Sequence, residues 1–330
     1  MAEQGERAGH DISISLDVNS GIPIQRMNSK LHDVTISREG TNIAHVQLKP
    51  HDKIPNKDFV LSWDVASDAV RSGYLTHGDA SGGYFTLMMI PPKRIARADV
   101  APKEIIFLID CSGSQKAKET MQYILDHMNP QDTFQIISFN SGFQKFAENS
   151  EAASHAMKER AGRFLQSLQA HGGTWMGPPV EAALALPNPG NKLRIVTFMT
   201  DGLVGNDLEV IGMIKKYRNK SRWFSFGTGN SVNRFLIDKI AAEGGGEADY
   251  VYLGASAEEV GKKFYDRISS PVLTDIKVVF QGVETKEVFP KENADLWAQR
   301  PLYITGRYTK AGQGKAILTG FSGGKPYRQE

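Results

Sequence analysis

One cysteine, Cys111, stands among 330 residues. That scarcity excludes an internal disulfide framework and a multi-cysteine metal cluster. No apolar run comes near the roughly 18 residues that would span a bilayer. The opening MAEQGERAGHDIS has no hydrophobic centre of the kind a secretory signal carries. Charge of one sign is missing as well. The 39 Lys and Arg against 37 Asp and Glu leave +2, which makes no field to draw nucleic acid or an anionic membrane. The eight histidines include no His-x-x-x-His pair, so no zinc site is indicated. There is no low-complexity segment and no repeat at a solenoid period. A hydrolase elbow, Gly-x-Ser-x-Gly, is absent around Ser112, and so is the phosphate-cradling Gly-x-x-x-x-Gly-Lys-Ser/Thr. Gly227-x-Gly229 follows an apolar run, but Val232 holds the third glycine position. That stretch reads as a tight turn entering a helix, and not as a dinucleotide site.

What is present is a soluble-type composition, 40% hydrophobic and 23% charged, arranged in three zones. From Asp11 to about Pro91 the runs DISISLDV, VTISREG, NIAHVQLK, KDFVLSWDV and GGYFTLMMI alternate and are broken by Gly, Pro and Asn, as antiparallel strands should be. PPKRIARADVAPK then reads as a linker. From Glu104 to about Ser270 the rhythm becomes strand, helix, strand. EIIFLID is a continuous apolar run, the mark of a strand buried on both faces. Met121, Ile124, Leu125 and Met128 follow at helical spacing. DTFQIISF, Asn-Ser-Gly and FQKFAE form a hairpin, which puts an antiparallel strand at one edge. The alternation predicts a doubly wound, mostly parallel α/β sheet with helices on both faces. After Pro271 the chain is β-like again in TDIKVVFQG, LYITGRYT and GKAILTGF.

Within the middle zone, IDCSGSQ places a carboxylate at a strand end, followed by two hydroxyls. In an open α/β sheet, ligands bind beyond the carboxyl ends of the strands, where the strand order reverses. Asp201 ends LRIVTFMT as Asp110 ends EIIFLID, and Thr174 lies between them in the glycine-loosened HGGTWM. Asp110, Ser112, Ser114, Thr174 and Asp201 are therefore the candidate set. They are oxygen donors only, suited to hard cations such as Mg²⁺ or Mn²⁺ and not to zinc or copper. Hydroxyls are neutral ligands, so a divalent ion held mainly by them keeps most of its charge. Such an ion can accept a partner's carboxylate as its last ligand. A phosphoryl-transfer aspartate would want a second acid at the position of Ser112. Cys111 reads as a small core side chain, since a thiolate is a poor partner for Mg²⁺. Trp175 is either an exposed anchor for a partner or folded back on the domain.

FLIDCSGSQ, GGTWM and FMTDGLVGND match, in order and spacing, the three loops of the von Willebrand factor type A (vWA) domain. RWFSFGTGNSVNRFLIDKIA resembles that family's later strand and helix, and IPNKDFVLSWDV and GGYFTLMMIPP resemble the final part of a VIT domain. The nearest likeness is to bacterial VIT–vWA proteins, related to inter-alpha-trypsin inhibitor heavy chains. The resemblance implies a Rossmann-like vWA domain over 103–270. The C-terminal part of a VIT-like β module would occupy 1–98, and a β-rich segment over 271–330 would pack with it, all as a fragment of a longer protein. It also implies a metal-ion-dependent adhesion site holding one ion, Mg²⁺ or in its place Mn²⁺ or Ca²⁺. Ser112 and Ser114 would bind directly, Thr174 or Asp201 would join according to conformation, and Asp110 would act largely through water. SQKAKETM runs almost straight into the helical pattern where the family usually has several more residues. The expected function is non-enzymatic: a module presenting its cation to an acidic residue of a protein partner, with Trp175 and Gln115 beside it. The alternative is recruitment of a client to an ATPase or other catalytic subunit. Neither nucleic acid nor a membrane segment enters this reading, and the family suggests a cell-surface, periplasmic or secreted setting.

Overall fold

The structure is a computed structural model. It describes residues 9, 11–54, 57–65, 68–92, 102–111, 115–169, 173–188, 192–200, 206–217, 220–228, 232–251, 256–269, 271–291, 294–298 and 300–330. The chain divides into two compact units, Met1–Ala98 with Pro271–Glu330 as one and Asp99–Ser270 as the other.

The first unit opens with seven strands: β1 (Ser15–Asn19), β2 (Arg26–Ser29), β3 (Val34–Glu39), β4 (Ile43–Leu48), β5 (Leu61–Asp64), β6 (Arg71–Asp79) and β7 (Gly82–Ile90). β4 lies between β1 and β3 in an antiparallel sheet, and β2 pairs with β5. β6 and β7 form a hairpin whose turn is tied by Asp79, which accepts from the Ser81 amide at 2.8 Å and from its hydroxyl at 2.6 Å. Asp and Ser are common in turns because their short polar side chains bond the nearby backbone.

The second unit holds β8 (Lys103–Asp110), α1 (Gln115–His127), β9 (Thr133–Phe139), β10 (Phe143–Lys145), β11 (Glu151–Ala152), α2 (His155–Ser167) and α3 (Gly177–Ala185). It continues with β12 (Leu193–Thr200), α4 (Asp207–Lys216), β13 (Arg222–Thr228), α5 (Arg234–Gly244), β14 (Ala248–Val251) and α6 (Ala257–Ile268). The sheet order is β10-β9-β8-β12-β13-β14, with β11 beside β9. β9, β8, β12, β13 and β14 run parallel, while β10 and β11 run antiparallel to β9. This is a doubly wound α/β sheet, and the hairpin edge expected from Asn-Ser-Gly is present.

Alternation along each strand supplies both faces. Trp223 belongs to one core cluster with Val180 of α3, Val210 and Ile214 of α4, and Leu236, Ile237 and Ile240 of α5. On the same strand, Phe224 and Phe226 meet Phe264 of α6 edge-on, at 5.4 and 4.7 Å between ring centres. Such rings contribute about 0.5–1.5 kcal/mol beyond the area they bury. α2 starts on Ser154, whose hydroxyl accepts from the Met157 amide, and α6 starts the same way on Ser256. α5 ends on Gly245 at φ +68°, a left-handed cap that a Cβ would disfavour.

The linker reading of PPKRIARADVAPK lies mostly outside the described residues, but its last residue is corrected. Lys103 is the first residue of β8, fully buried, with its ammonium 3.0 Å from Asp132 Oδ2 though off the line of a hydrogen bond. Beside it, Glu104 takes Arg194 Nε at 2.6 Å and the Ser150 hydroxyl at 2.5 Å. Both ion pairs sit at the amino ends of the strands, where they satisfy charges that burial alone would expel.

The first unit resumes with β15 (Pro271–Gln281), β16 (Thr285–Phe289), β17 (Ala294–Trp297), β18 (Leu302–Tyr308), β19 (Lys315–Ser322) and β20 (Lys325–Gln329). β7 pairs with β18 from Gly83↔Tyr308 to Met89↔Leu302, giving a sheet β16-β18-β7-β6. A second sheet, β17-β15-β19-β20, shares a core with it. Leu87, Met89 and Ile304 meet Leu273, Ile276, Leu296 and Leu318 there, and the Phe85 and Phe280 rings lie 4.8 Å apart. The opposite face of β7 buries Met88 and Ile90 against Ile22. That double burial explains why GGYFTLMMI ends as an unbroken apolar run.

Candidate metal centre

The strand order reverses between β8 and β12, which are direct neighbours from Leu193↔Lys103 to Met199↔Ile109. Asp110 is the last residue of β8 and is 2% exposed. The ladder continues one residue beyond it, with the Cys111 amide donating to the Phe139 carbonyl at 2.8 Å. This fixes the backbone that carries the carboxylate. Among the described residues, two hydroxyls reach Asp110 Oδ2: Thr200 Oγ1 donates at 2.7 Å and Thr174 Oγ1 at 3.4 Å. Thr200 is the final residue of β12, and Thr174 comes from the segment before α3. The end of β12 and the segment before α3 thus both reach the carboxylate that ends β8, at the switch point, where such folds bind ligands.

Of the residues singled out in the sequence, Asp110 and Thr174 are brought together. Ser112, Ser114 and Asp201 lie outside the described residues. Gln115 is the first residue of α1 and is exposed. Trp175 is 55% exposed, so its indole is not folded into the core. Thr200 was missed by sequence reasoning. Its signal was available, since it is the last residue of an apolar strand and immediately precedes Asp201, but a threonine in LRIVTFMT reads as an ordinary strand residue.

The Thr174 segment is held from below by the turn between β9 and β10. The Trp175 amide donates to the Asn140 carbonyl at 2.8 Å, and the Gly173 amide donates to the Ser141 hydroxyl at 2.9 Å. Asn140 in turn closes the hairpin, accepting the Gly142 amide on Oδ1 at 3.0 Å and donating its own amide to the Gly142 carbonyl at 2.8 Å. Cys111, beside Asp110, is buried. Loss of solvation pushes its thiol pKa up, partly offset by a hydrogen bond with Ser138. A thiol kept protonated is neither a nucleophile nor a metal ligand at neutral pH.

The donors fit a hard divalent cation. A threonine hydroxyl that donates its proton to Asp110 keeps lone pairs free to ligate, and the carboxylate keeps acceptor sites of its own. Among the described residues no cluster of three or more His, Cys, Asp or Glu side chains forms a metal site.

A doubly wound sheet with a buried carboxylate and two hydroxyls at its switch point defines the class, a Rossmann-like α/β domain. Residues 103–250 match the family model of the von Willebrand factor type A domain, and the chain carries such a domain. It is similar to human inter-alpha-trypsin inhibitor heavy chain H2, at 24% identity over 322 residues covering 88% of this chain and 33% of the relative. A von Willebrand factor A domain-containing protein of Dictyostelium discoideum is 23% identical over 331 residues, covering 97% of this chain and 35% of the relative. The chain thus spans about a third of the length of these relatives. Among solved structures, a von Willebrand factor type A protein from Catenulispora acidiphila superposes with a TM-score of 0.64 at 13% identity, over 80% of this chain and 72% of that one.

Proposed function

We propose that the α/β unit is a divalent-cation-dependent protein-binding module and not an enzyme. Its cation, Mg²⁺ or a close substitute, would be held by Asp110, Ser112, Ser114, Thr174 and Asp201 and offered to a carboxylate of a partner protein. The observation that carries this reading is the buried Asp110 carboxylate with the Thr174 and Thr200 hydroxyls on it, at the switch point of a vWA domain. A cation would supply electrophilic charge there, and the Asp110 carboxylate and the neighbouring hydroxyls would hold it in place. A catalytic reading would need a general base in reach of the bound ion. The only histidine in the motif loops, His171, lies outside the described residues.

The surface around the crevice supports the partner reading. Among the described residues of this unit, the large apolar side chains left exposed are Phe143, Trp175, Leu208 and Phe235. Phe143 opens β10, Trp175 neighbours Thr174, and Leu208 and Phe235 are the second residues of α4 and α5. All four belong to the edge of the sheet where the parallel strands end, which is the edge of Asp110. Exposed aromatic and aliphatic groups gathered at one edge are what a protein partner buries. For the other unit, we propose that residues 1–98 are the C-terminal part of a VIT-like β module with which the 271–330 segment packs, and the pairing of β7 with β18 and their common core support that packing.

Titration calorimetry with Mg²⁺ and with Mn²⁺ tests the site directly. The wild type should bind one ion, and Asp110→Ala should bind none while melting as a folded protein in chelator. Equal heats from the two proteins would end the proposal.

A further inference from the structure

The turn between β9 and β10 contributes no ligand to the candidate set, yet it grips the Thr174 segment on both sides. Gly173 and Trp175, the residues flanking Thr174, each give their amide to this turn, to Ser141 Oγ at 2.9 Å and to the Asn140 carbonyl at 2.8 Å. The turn is itself braced by the Asn140 side chain, which accepts the Gly142 amide. Its base is anchored in the sheet by the Phe143↔Phe139 pair, next to the strand that ends in Asp110. The Thr174 segment precedes the first turn of α3 and exposes both Gly173 and the Trp175 indole. Its backbone amides would otherwise bond water and leave the Thr174 hydroxyl free to swing away from Asp110 Oδ2.

We propose that Ser141, together with the Asn140 carbonyl, is a positioning device for the cation site. It sets where the Thr174 hydroxyl stands relative to Asp110, and so sets cation affinity, without itself touching the ion. The inference rests on the cation-binding reading of Asp110 and Thr174. Its physical basis is pre-organisation. A ligand oxygen held in place before binding loses less freedom when the ion arrives, and a loop untethered at one of two points must be ordered by the ion itself. The side-chain tether can be removed by mutation, whereas the Asn140 carbonyl cannot, so Ser141 is the testable half.

Mn²⁺ serves as the probe, with its affinity read by electron paramagnetic resonance of the free ion. Ser141→Ala should weaken Mn²⁺ binding by about three- to tenfold, the range expected for one net hydrogen bond. Ser141→Thr, which keeps the hydroxyl, should restore most of it. In chelator, the melting temperatures of wild type and Ser141→Ala should coincide, since the tether is an exposed loop contact. Under the same chelating conditions, amide hydrogen exchange at Gly173 and Trp175 should quicken in Ser141→Ala and not in Ser141→Thr. A wild type that binds Mn²⁺ with an unaltered affinity in Ser141→Ala overturns the positioning role and leaves the cation site standing. Unchanged exchange at both amides overturns it too. A wild type that binds no Mn²⁺ overturns both the site and the inference.

Discussion

At the scale of single residues, charge in this protein is managed differently in the two units. His45 of β4 sits between acids on both neighbouring strands, with Nδ1 2.5 Å from Asp17 Oδ1 and Nε2 3.5 Å from Glu39 Oε2. Those hydrogen bonds, Asp17 first and Glu39 second, raise the His45 pKa above its ordinary 6.5. A histidine whose folded pKa is raised binds its proton more tightly in the folded state than in the unfolded one. Its contribution to stability is therefore complete below about pH 6.5 and is lost as pH rises through the higher folded value. Proton-detected titration of the His45 ring should give a pKa above that of a histidine in the denatured chain. Asp17→Asn should move it down, and an unmoved value would remove Asp17 as the cause. Because the triad is exposed, its effect on the melting temperature should be small and weakened by salt.

Secondary-structure elements show where burial has been made tolerable for charge. β8 begins with Lys103 and Glu104, both buried, and they are tolerable only because Asp132 precedes β9 and Arg194 lies near the start of β12. Replacing one partner leaves the other charge buried and unpaired, while replacing both removes the problem. Glu104→Leu should therefore destabilise the fold by about 3–5 kcal/mol. The double variant Glu104→Leu with Arg194→Leu should recover much of that loss, as read from urea unfolding curves. A double variant no more stable than the single one would mean that Glu104 acts mainly through Ser150, whose hydroxyl it also accepts. The same elements position the site, since β8 and β12 are zipped along their length before they deliver Asp110 and Thr200 to the crevice.

For the molecule as a whole, a cation bound by the folded chain alone must raise its stability. Mg²⁺ at a hundred times its dissociation constant should add about 2.7 kcal/mol. Thermal melts in Mg²⁺ and in chelator, run on wild type and on Thr174→Ala, measure this. The wild type should melt higher in Mg²⁺ at neutral pH, and the variant should respond less because one oxygen donor is gone. Coincident wild-type melts at millimolar Mg²⁺ would speak for a metal-free scaffold. Loss of Trp175 as Trp175→Ala should leave these melts unchanged, since an exposed indole adds little to the fold and would matter only to a partner.

The α/β unit was legible in the sequence because its signals are local. EIIFLID and LRIVTFMT are strands buried on both faces and read as apolar runs. Met121, Ile124 and Leu125 keep helical spacing and are all buried. Asp110 and Thr174 were legible because their residue types at strand-end and loop positions carry the chemistry. Other features depended on neighbours distant in the chain. Lys103 looked like the tail of a linker, and only Asp132, 29 residues on, makes its burial possible. β6, with glycines at 73 and 78, and the short β2, β16, β17 and β20 show no clean alternation, and pairing with better strands is what defines them. Thr200 reaches Asp110 only because β12 lies against β8. Sequence by itself determined which segments form strands and helices in the middle of the chain and which oxygen donors are available, because periodicity and residue chemistry are local properties. Tertiary structure alone decided which carboxylate those hydroxyls reach, which charges are buried in pairs, and that β7 pairs with β18 from the far side of the sequence, because hydrogen-bond register and desolvation are set between segments that no local pattern connects.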